Sequence, residues 1–494
     1  MQRAGKAAAD EISQRYPEEL RDGALVFTGP GNNGGDGWVV AGILARSGVK
    51  VMVVEAEAAK TPDAVAEKNA AIDSVEKIDV FPGQQNADSM AAHVVVDALL
   101  GTGATGEPRG RIAEGISTIN RLRARGATVA ALDIPSGLDA TTGIHSMCVI
   151  ADATFSFGGI KRGSLRARDC CGEIVVLDIG LDDDLVREET SAGGDAPSLP
   201  VLVDGPWVHA HVPKIRYDAH KGIRKHLAVI GGGKGMAGAV VLATRSALRS
   251  GIGLLRAFVA RENEGEILAA APSALITEWP TQAETSSLIS KWAHAIVIGP
   301  GLGKSDETLK IVEMVLHDSK LPVLLDADAL NVFDGDLPAF AKLLKGRQAL
   351  ITPHVAEFAR LAGVEVQEVL DNSFDIGLGM ARTLGATVLL KGSPTVIFTP
   401  DGNRYVSARG TAGLGTGGSG DLLAGIAGTL LAQTQDTAIA ASCAAWIHGR
   451  AAEFCEYVRG TNLEDVLYAL PRAWNETVEP AVPPVLATLP AVPR

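Results

Sequence analysis

Short apolar runs alternate with glycine turns and amphipathic stretches through the first 180 residues. The apolar runs predict six buried β-strands, at Ala24–Thr28, Lys50–Glu55, His93–Ala98, Thr128–Asp133, Thr154–Phe157 and Glu173–Asp178. Helical spacing of apolar residues over Trp38–Ser47 and Ile112–Arg125 fills two of the gaps. Strands that alternate with helices predict a parallel sheet covered on both faces.

This pattern lapses between residues 182 and 221 and then restarts. A charged segment rich in Gly, Ser and Pro predicts an exposed linker, and the Pro-, Ala- and Val-rich end of the chain predicts a disordered tail. Between them we expect a helix at Ala239–Ser250 and strands at Leu227–Ile230, Leu254–Val259, Ala295–Ile298, Val323–Asp326, Ala349–Ile351, Thr387–Leu390 and Val396–Thr399. The predicted fold class is therefore α/β with two tandem domains: residues 1–190, a linker at 191–220, residues 221–479, and a tail at 480–494.

Composition narrows the class of protein. The chain has 494 residues, a net charge of −13, 21% charged residues and 46% hydrophobic residues, which is typical of a soluble enzyme and argues against nucleic acid as the main partner. No run of about 20 apolar residues predicts a membrane span. Five cysteines without metal-ligand spacing favour reduced thiols and a cytoplasmic location. The chain opens inside a helical pattern, which indicates either a preceding segment or an alternative start.

The glycine-rich segment Gly410–Gly428 carries the strongest chemical signal. Six glycines between Gly410 and Gly420 precede Asp421, and apolar residues then recur at helical spacing. A glycine turn that opens a helix offers free N–H groups and a positive dipole end to phosphate. A carboxylate at this point can take a proton from a hydroxyl that attacks a phosphoryl group. The alternative is that Asp421 is an ordinary helix cap. Six glycines followed by a nearly apolar helix argue against this alternative.

Five further blocks of the second half lie at predicted strand ends. They are IGGGKGMAGA (Ile230–Ala239), IGPGLG (Ile298–Gly303), LLDADALN (Leu324–Asn331), ITPHVAEFARL (Ile351–Leu361) and LLKGSPTVIFTPDG (Leu389–Gly402). The last predicts a hairpin. His354 and Glu357 are three residues apart on one side of a helical turn, where capping and ligand binding are both open.

These blocks resemble the ribokinase-like superfamily, and within it the ADP/ATP-dependent NAD(P)H-hydrate dehydratases. The resemblance implies a ribokinase-like fold, with Asp421 as the base, Mg²⁺ as cofactor and ADP or ATP as phosphoryl donor. It places the hydrated nicotinamide against Ala239, Gly303 and His354. It also implies that Mg²⁺ is organised by His354 and Glu357, and that the nucleotide contacts Lys391, Gly392, Ser393, Pro394, Thr395 and Gly420.

Three blocks of the first half form a second cluster of carboxylates, amides and hydroxyls. They are GPGNNGGDGWVVA (Gly29–Ala41), DALLGTGATGE (Asp97–Glu107) and DIPSGLD (Asp133–Asp139). The glycines would let a diphosphate approach the main chain. Together these blocks resemble NAD(P)H-hydrate epimerases, which implies a Rossmann-like three-layer domain.

The epimerase resemblance also implies roles for individual residues. Asp133 is the acid/base group, and Lys161 either assists by its charge or is a surface residue. A potassium ion is assigned to Asn33, Asp97 and Ser136, and oxygen ligands do suit a hard monovalent cation better than zinc. Substrate contacts are assigned to Asn32, Asn33, Gly34, Gly35, Asp36, Gly101, Thr102, Gly103, Ala104, Thr105, Gly106 and Glu107.

The sequence thus predicts a bifunctional repair enzyme that epimerises hydrated NAD(P)H and dehydrates its S form. Related proteins imply a homo-oligomer. The alternatives are a ribokinase-like kinase of a small molecule such as a vitamin precursor, whose product would keep the phosphate, and a first domain that only binds or serves as a scaffold. The intact Asp133, Asn33 and Asp97 argue against that last alternative.

Overall fold

The computed structural model describes residues 1–78, 93–181, 199–476 and 481–492. The described residues form two compact units, one of 1–181 with 481–492 and the other of 199–476. Each unit is a sheet covered by helices, so the predicted class of two tandem α/β domains is confirmed. Across the described ranges, no helix is both long enough and apolar enough to cross a bilayer.

The first unit contains an eight-stranded sheet in the order β18-β7-β6-β5-β4-β1-β2-β3. All neighbouring strands are parallel except β18, which runs antiparallel to β7. The strands are β1 Ala24–Thr28, β2 Val51–Glu55, β3 Glu76–Ile78, β4 Val94–Ala98, β5 Thr128–Leu132, β6 Ala153–Phe157, β7 Glu173–Leu177 and β18 Val485–Leu489.

Helices bury both faces of this sheet, as its apolar strands require. Val26 and Val96 face one core, and Leu25, Phe27 and Val95 face the other. The helices are Gln2–Arg15, Asn32–Arg46, Pro62–Ala71, Gly110–Ala124, Arg162–Arg166 and Arg168–Cys171, with short 3₁₀ turns at Glu19–Asp22 and Ile72–Ser74.

The second unit contains a ten-stranded sheet in the order β11-β10-β9-β12-β13-β14-β15-β16-β17-β8. Its pairs are parallel except β15–β16 and β16–β17. The strands are β8 Val201–Leu202, β9 His226–Ile230, β10 Leu254–Val259, β11 Leu275–Glu278, β12 Ala295–Ile298, β13 Val323–Leu325, β14 Ala349–Ile351, β15 Thr387–Leu390, β16 Thr395–Phe398 and β17 Arg404–Ser407.

Two long apolar helices, Ser419–Thr434 and Thr437–Glu453, run through the core of the second unit. The remaining helices are Gly205–His211, Ala237–Arg249, Glu264–Ala270, Gln282–Glu284, Asp306–Asp318, Asp328–Asn331, Leu337–Leu344, Val355–Ala362, Val366–Asp371, Gly377–Leu384 and Leu463–Trp474. Short 3₁₀ helices lie at Arg261–Asn263 and Ala412–Leu414, and a π-helix lies at Thr285–Ser290.

Each sheet has a point where the strand order reverses. In the first sheet β1 lies between β2 and β4, and in the second β9 lies between β10 and β12. Loops from such neighbouring strands diverge and leave a crevice beyond their carboxyl ends. The glycine turns that follow β1 and β9 therefore lie where an α/β sheet binds ligands.

Two predictions made outside the strand–helix repeats are wrong. The predicted disordered tail contains the strand β18, because its alternating apolar residues pair with β7 and extend the sheet. Leu489 of this strand is buried. The predicted linker contains β8 and the helix Gly205–His211, and Asp204 caps that helix through Trp207 N–H. The predicted boundaries at 190/191 and 479/480, and the linker residues 191–198, lie outside the described residues.

Candidate active sites

In the second unit, the turn after β12 meets the helix that follows β9. A Cβ added at Gly301 would lie 2.9 Å from Ala239 Cβ, and Gly303 N–H donates to Asp328 Oδ2 at 2.8 Å. Gly301 and Gly303 have positive φ of 59° and 83°, a backbone conformation that glycine adopts readily. The turn thus places Ala239 and Gly303, both predicted substrate residues, on one side of the crevice.

A lysine whose side chain is 20% exposed joins the carboxylates at the strand ends. Lys391 Nζ lies 2.8 Å from Asp326 Oδ1 and 3.8 Å from Glu357 Oε2. Burial opposes the charged ammonium, but Asp326 and Glu357 outweigh that cost and raise the pKa of Lys391. A Cβ at Gly420 would lie 3.2 Å from the same Nζ. Lys391 and Gly420, both predicted nucleotide residues, therefore meet.

Asp421 lies in the first turn of the helix Ser419–Thr434. The chain enters this helix through Gly418 with φ +94°. Burial, and next the charge of Asp326, raise the pKa of Asp421 to about 7, although Lys391 opposes the shift. A carboxylate with a pKa near neutrality accepts and releases protons readily at physiological pH. The predicted base thus has suitable acidity and stands at an anion-binding helix end.

His354 and Glu357 form a capping box at the start of the helix Val355–Ala362. Glu357 Oε2 accepts from His354 N–H at 2.8 Å, and His354 Nδ1 accepts from the N–H groups of Ala356 and Glu357. The capping alternative is thus confirmed. His354 also forms a β-bridge with Lys391 beside the same crevice. The turn from Lys391 to Thr395 joins β15 to β16 as the predicted hairpin, with Gly392 and Ser393 exposed.

Sequence reasoning missed His448 in this region. Its side chain is buried in the helix Thr437–Glu453, and its Nε2 has no hydrogen-bond partner in the parts of the chain that the structure covers. Burial and then the charge of Lys391 lower the pKa of His448 to about 4. A single histidine in an apolar helix gives no signal in the sequence, because only the fold brings it near Lys391.

In the first unit, oxygen and amide groups converge at the β1–β4 crevice. Ser136 Oγ donates to Asp97 Oδ1 at 2.6 Å, and Ser136 N–H donates to Asp97 Oδ2 at 2.8 Å. Asn33 Nδ2 donates to Leu100 O at 2.8 Å, and Ser136 Oγ lies 3.3 Å from the same carbonyl oxygen. Burial raises the pKa of Asp97 to about 6 despite its hydrogen bonds to Ser136. The three predicted potassium residues therefore form one cluster.

The residues Asn32–Asp36 belong to a helix rather than to a loop. The helix Asn32–Arg46 begins six residues earlier than the predicted Trp38, directly after the extended Gly31. Close packing explains the glycines, because a Cβ at Gly34 would lie 2.0 Å from Gly29 O. The first turn therefore presents its free N–H groups to the crevice.

Asp133 follows β5 with a positive φ of 65°, which is uncommon for a residue with a side chain. Its Oδ1 accepts from Phe157 N–H at 3.2 Å and forms a close ion pair with Lys161 Nζ. The Lys161 side chain is only 17% exposed, so the surface alternative is wrong. Burial chiefly raises the pKa of Asp36 to about 7, and the charge of Asp133 contributes. Asp133 thus lies close enough to interact with both Asp36 and Lys161.

The loop from Gly101 to Glu107 borders a cavity of about 380 Å³. Gly101, Ala104, Gly106 and Glu107 line one side, and the segment from Gly137 to Ser146 contributes the other. Thr102, Gly103 and Thr105 belong to the same loop. A Cβ at Gly101 would lie 3.1 Å from Asn33 Cβ, so this loop adjoins the Asn33 cluster.

Comparison with known proteins agrees with this division. The family model described as NAD(P)H-hydrate dehydratase matches residues 227–472, and the model described as YjeF-related protein N-terminus matches residues 1–163. A solved ADP/ATP-dependent NAD(P)H-hydrate dehydratase from Bacillus subtilis, co-crystallised with ATP and Mg²⁺, is 29% identical, with a TM-score of 0.49 over 56% of this chain and 98% of that chain.

Two curated relatives extend over both units. The bifunctional NAD(P)H-hydrate repair enzyme Nnr of Escherichia coli is 35% identical over 97% of this chain and 90% of that protein. The enzyme of the same name from Moorella thermoacetica is 33% identical over 98% of this chain and 94% of that protein. The predicted resemblance is confirmed in both halves. Because this identity extends over nearly its whole length, the chain belongs to the family of bifunctional NAD(P)H-hydrate repair enzymes.

Proposed function

We propose that this chain restores hydrated NAD(P)H in two steps. The first unit interconverts the R and S hydrates at C6 of the nicotinamide ring, and the second unit dehydrates the S form with an adenine nucleotide. The observation that carries the second step is a carboxylate with a pKa of about 7, Asp421, at a glycine-lined helix start beside Lys391. This arrangement supports phosphorylation of an alcohol.

In the second unit, Asp421 takes the proton of the C6 hydroxyl as that oxygen attacks the terminal phosphorus of ADP or ATP. The phosphoryl group moves to the substrate and the shortened nucleotide leaves. The ring nitrogen then expels phosphate with its lone pair, and loss of a proton from C5 restores the dihydropyridine. Phosphate is a far better leaving group than hydroxide, so phosphorylation makes the C6–O bond breakable.

The surrounding residues position the two substrates. The hydrated ring lies against Ala239, Gly303 and His354, which line the crevice after β9, β12 and β14. The nucleotide contacts Gly420 and the hairpin turn Lys391–Thr395. Lys391 and the first N–H groups of the helix Ser419–Thr434 stabilise the charge of the transferring phosphoryl group.

The carboxylates near Lys391 suit a magnesium ion. Mg²⁺ prefers oxygen ligands and is commonly held by one or two carboxylates together with substrate phosphates. Asp326 and Glu357 both face the Lys391 ammonium and would supply these oxygens. When bound, the ion neutralises phosphate charge during transfer. Because Glu357 also caps its helix, its carboxylate is fixed in place before the nucleotide binds.

In the first unit, Asp133 takes the proton of the C6 hydroxyl as the C6–N1 bond breaks and a carbonyl forms at C6. The ring nitrogen keeps the electron pair of that bond and adds to the opposite face of the carbonyl, and the oxygen regains the proton from Asp133, so the carbon inverts. Lys161 keeps the Asp133 carboxylate oriented through their ion pair. The helix start at Asn32–Asp36 and the loop Gly101–Glu107 contact the cofactor. The cavity beside that loop gives the cofactor room.

The Asn33 cluster fits a potassium ion. Asn33 Oδ1 is buried and has no hydrogen-bond partner within the described ranges, so it is an acceptor available for a cation. Asp97, Ser136 and the carbonyl oxygen of Leu100 supply further oxygens nearby. A bound K⁺ would supply positive charge for the substrate's phosphates and hold the β4 loop to Ser136.

Crossed variants test the two assignments within one protein. Mixed hydrates are incubated with Mg²⁺ and ADP or ATP, and both dihydropyridine absorbance and the R:S ratio are followed. Asp421→Asn should restore no NAD(P)H yet still equilibrate the isomers, whereas Asp133→Asn should convert the S fraction and leave the R fraction. Each variant is the folding control for the other unit.

Three results would contradict the proposal. Wild-type turnover by a folded Asp421→Asn protein would exclude Asp421 as base. An R:S ratio that the wild type leaves unchanged would make the first unit a binding module. A stable phosphorylated product would indicate a kinase of the same superfamily.

A further inference from the structure

Two cysteines and a histidine of the first unit meet beside its cavity. Cys148 Sγ lies 3.2 Å from Cys170 Sγ, and Cys170 Sγ lies 3.6 Å from His145 Nε2. All three donor atoms are within 4.8 Å of one another. We propose that His145, Cys148 and Cys170 bind one zinc ion, at a site separate from the proposed epimerase chemistry.

The distances agree with those of a zinc site. Tetrahedral bonds of about 2.3 Å to sulfur and 2.0–2.1 Å to nitrogen place two sulfur ligands ~3.8 Å apart and a sulfur–nitrogen pair ~3.5 Å apart. The observed 3.6 Å fits the second value, and the 3.2 Å sulfur pair needs only a small side-chain rotation to fit the first. A disulfide would require the two sulfurs to approach to about 2.05 Å and would leave the histidine unused.

The histidine is held in the tautomer that a metal requires. His145 Nδ1 lies 3.1 Å from Gly143 O, so its N–H donates to that carbonyl and leaves the Nε2 lone pair facing the cysteines. Metal-binding histidines commonly make such a bond with their other ring nitrogen, because it fixes the ring and increases its basicity. This second contact distinguishes the cluster from a chance approach of thiols.

The charge balance also favours a divalent ion. Cys148 and Cys170 are buried, whereas His145 is exposed and gives the ion a path from solvent. Binding of Zn²⁺ forms two zinc–sulfur bonds and releases two thiol protons, so the net charge of the cluster stays unchanged. Zinc accepts this mixture of thiolate and imidazole readily, and water would complete the fourth position.

The site would fasten one wall of the cavity. His145 lies in the segment Gly137–Ser146 that lines it, and Cys170 lies in the helix Arg168–Cys171. An ion would tie these two segments, which the chain separates by more than 20 residues. Only the fold reveals the cluster, because the cysteines of this sequence show no metal-ligand spacing.

Cobalt uptake by the full chain tests the proposal. Protein purified under reducing conditions is stripped with a chelator and titrated with Co²⁺, whose thiolate charge-transfer band reports sulfur ligation. We expect one equivalent to bind with that band, Zn²⁺ to displace it, and about two protons to be released per ion at neutral pH. Cys148→Ser and Cys170→Ser should lose the band. Cys171→Ser, a neighbour outside the cluster, should keep it.

The exposed His145 gives a variant that does not disturb the core. His145→Ala should bind zinc at least about tenfold more weakly, while its far-UV circular dichroism spectrum and thermal unfolding show that the protein is folded. The proposal is overturned if the reduced wild type takes up no cobalt, or if the band survives in both serine variants. It is also overturned if the unreduced protein contains a Cys148–Cys170 disulfide and, once reduced, still binds no metal.

Discussion

The ammonium group of Lys391 lies 2.8 Å from the carboxylate of Asp326, so an ion pair joins the ends of β15 and β13. The pair stands beside the first turn of the helix that carries Asp421. Lys391 lowers the pKa of Asp421 while Asp326 raises it, and burial is the largest influence. The acidity of the proposed base therefore depends on the same pair that lies at the proposed nucleotide and Mg²⁺ site.

Replacing Lys391 should shift the pH dependence of dehydration. In Lys391→Met the Asp421 carboxylate loses its opposing positive charge, so its pKa rises and the acid limb of kcat/KM moves above pH 7. Breaking a buried pair also destabilises the protein, by about 3–5 kcal/mol. A pH–rate profile at a temperature where the variant is folded measures the shift. Lys304→Met, at an exposed lysine, should keep the wild-type limb, and an unmoved limb in Lys391→Met would exclude this coupling.

A methyl group at Gly420 should obstruct the nucleotide. The added Cβ would lie 3.2 Å from Lys391 Nζ and 3.6 Å from Asp326 Oδ2, in the space proposed for phosphate. We expect Gly420→Ala to raise the nucleotide KM at least about tenfold, equivalent to 1.4 kcal/mol of binding. At Gly417 an added Cβ meets nothing within 4 Å, so Gly417→Ala is the matched control. Equal KM values in the two variants would move the phosphate site elsewhere.

Asp421→Asn should stabilise the second unit at neutral pH. The folded state raises the pKa of Asp421 from 3.8 to about 7, so between these values it keeps a proton that the unfolded chain has lost. The free energy of unfolding therefore falls as pH rises through this window, and the full penalty is present above pH 7. Removing this penalty should raise the free energy of unfolding by roughly 2–4 kcal/mol at pH 8 and by almost nothing at pH 4.

The measurement follows the unfolding transition that nucleotide shifts, because two units need not unfold together. Glu313→Gln, at an exposed helix position, should change stability little at either pH. A gain of the same size at pH 4 and pH 8 would show that the effect comes from packing rather than from titration.

Apolar runs predicted the central strands well because both faces of these parallel sheets are buried. Leu254–Val259 and Ala349–Ile351 were placed without error. The strands that pattern reading missed lie at or near sheet edges: β3, β8, β11, β17 and β18. Such strands bury less surface, so their sequences lack the continuous apolar signal, and only pairing with a neighbour defines them.

The site residues likewise divide into those that the sequence predicts and those that only the fold brings together. Some site residues belong to local turn motifs that the sequence alone identifies, namely Asp421, Gly420 and Asp133. The Asp326–Lys391 pair joins residues 65 apart, and the approach of His448 to Lys391 depends on how the helix Thr437–Glu453 packs. Neither contact leaves a local pattern. The helix start at Asn32 was missed because the four glycines and two asparagines of this helix give no helical signal in the sequence. The free N–H groups at this helix start are those that a ligand would use.

The potassium dependence of R–S interconversion should be lost when Asn33 is replaced and kept when Asn32 is replaced. If the buried Asn33 Oδ1 is a ligand, R–S interconversion by the wild type should be faster in KCl than in tetramethylammonium chloride at equal ionic strength. Asn33→Ala should be slow and equal in both salts, since the site has lost an oxygen. Asn32→Ala, at an exposed position, should keep the salt preference even where its KM rises. An Asn33→Ala enzyme that still responds to K⁺ would place the ion away from the Asp97–Ser136 cluster.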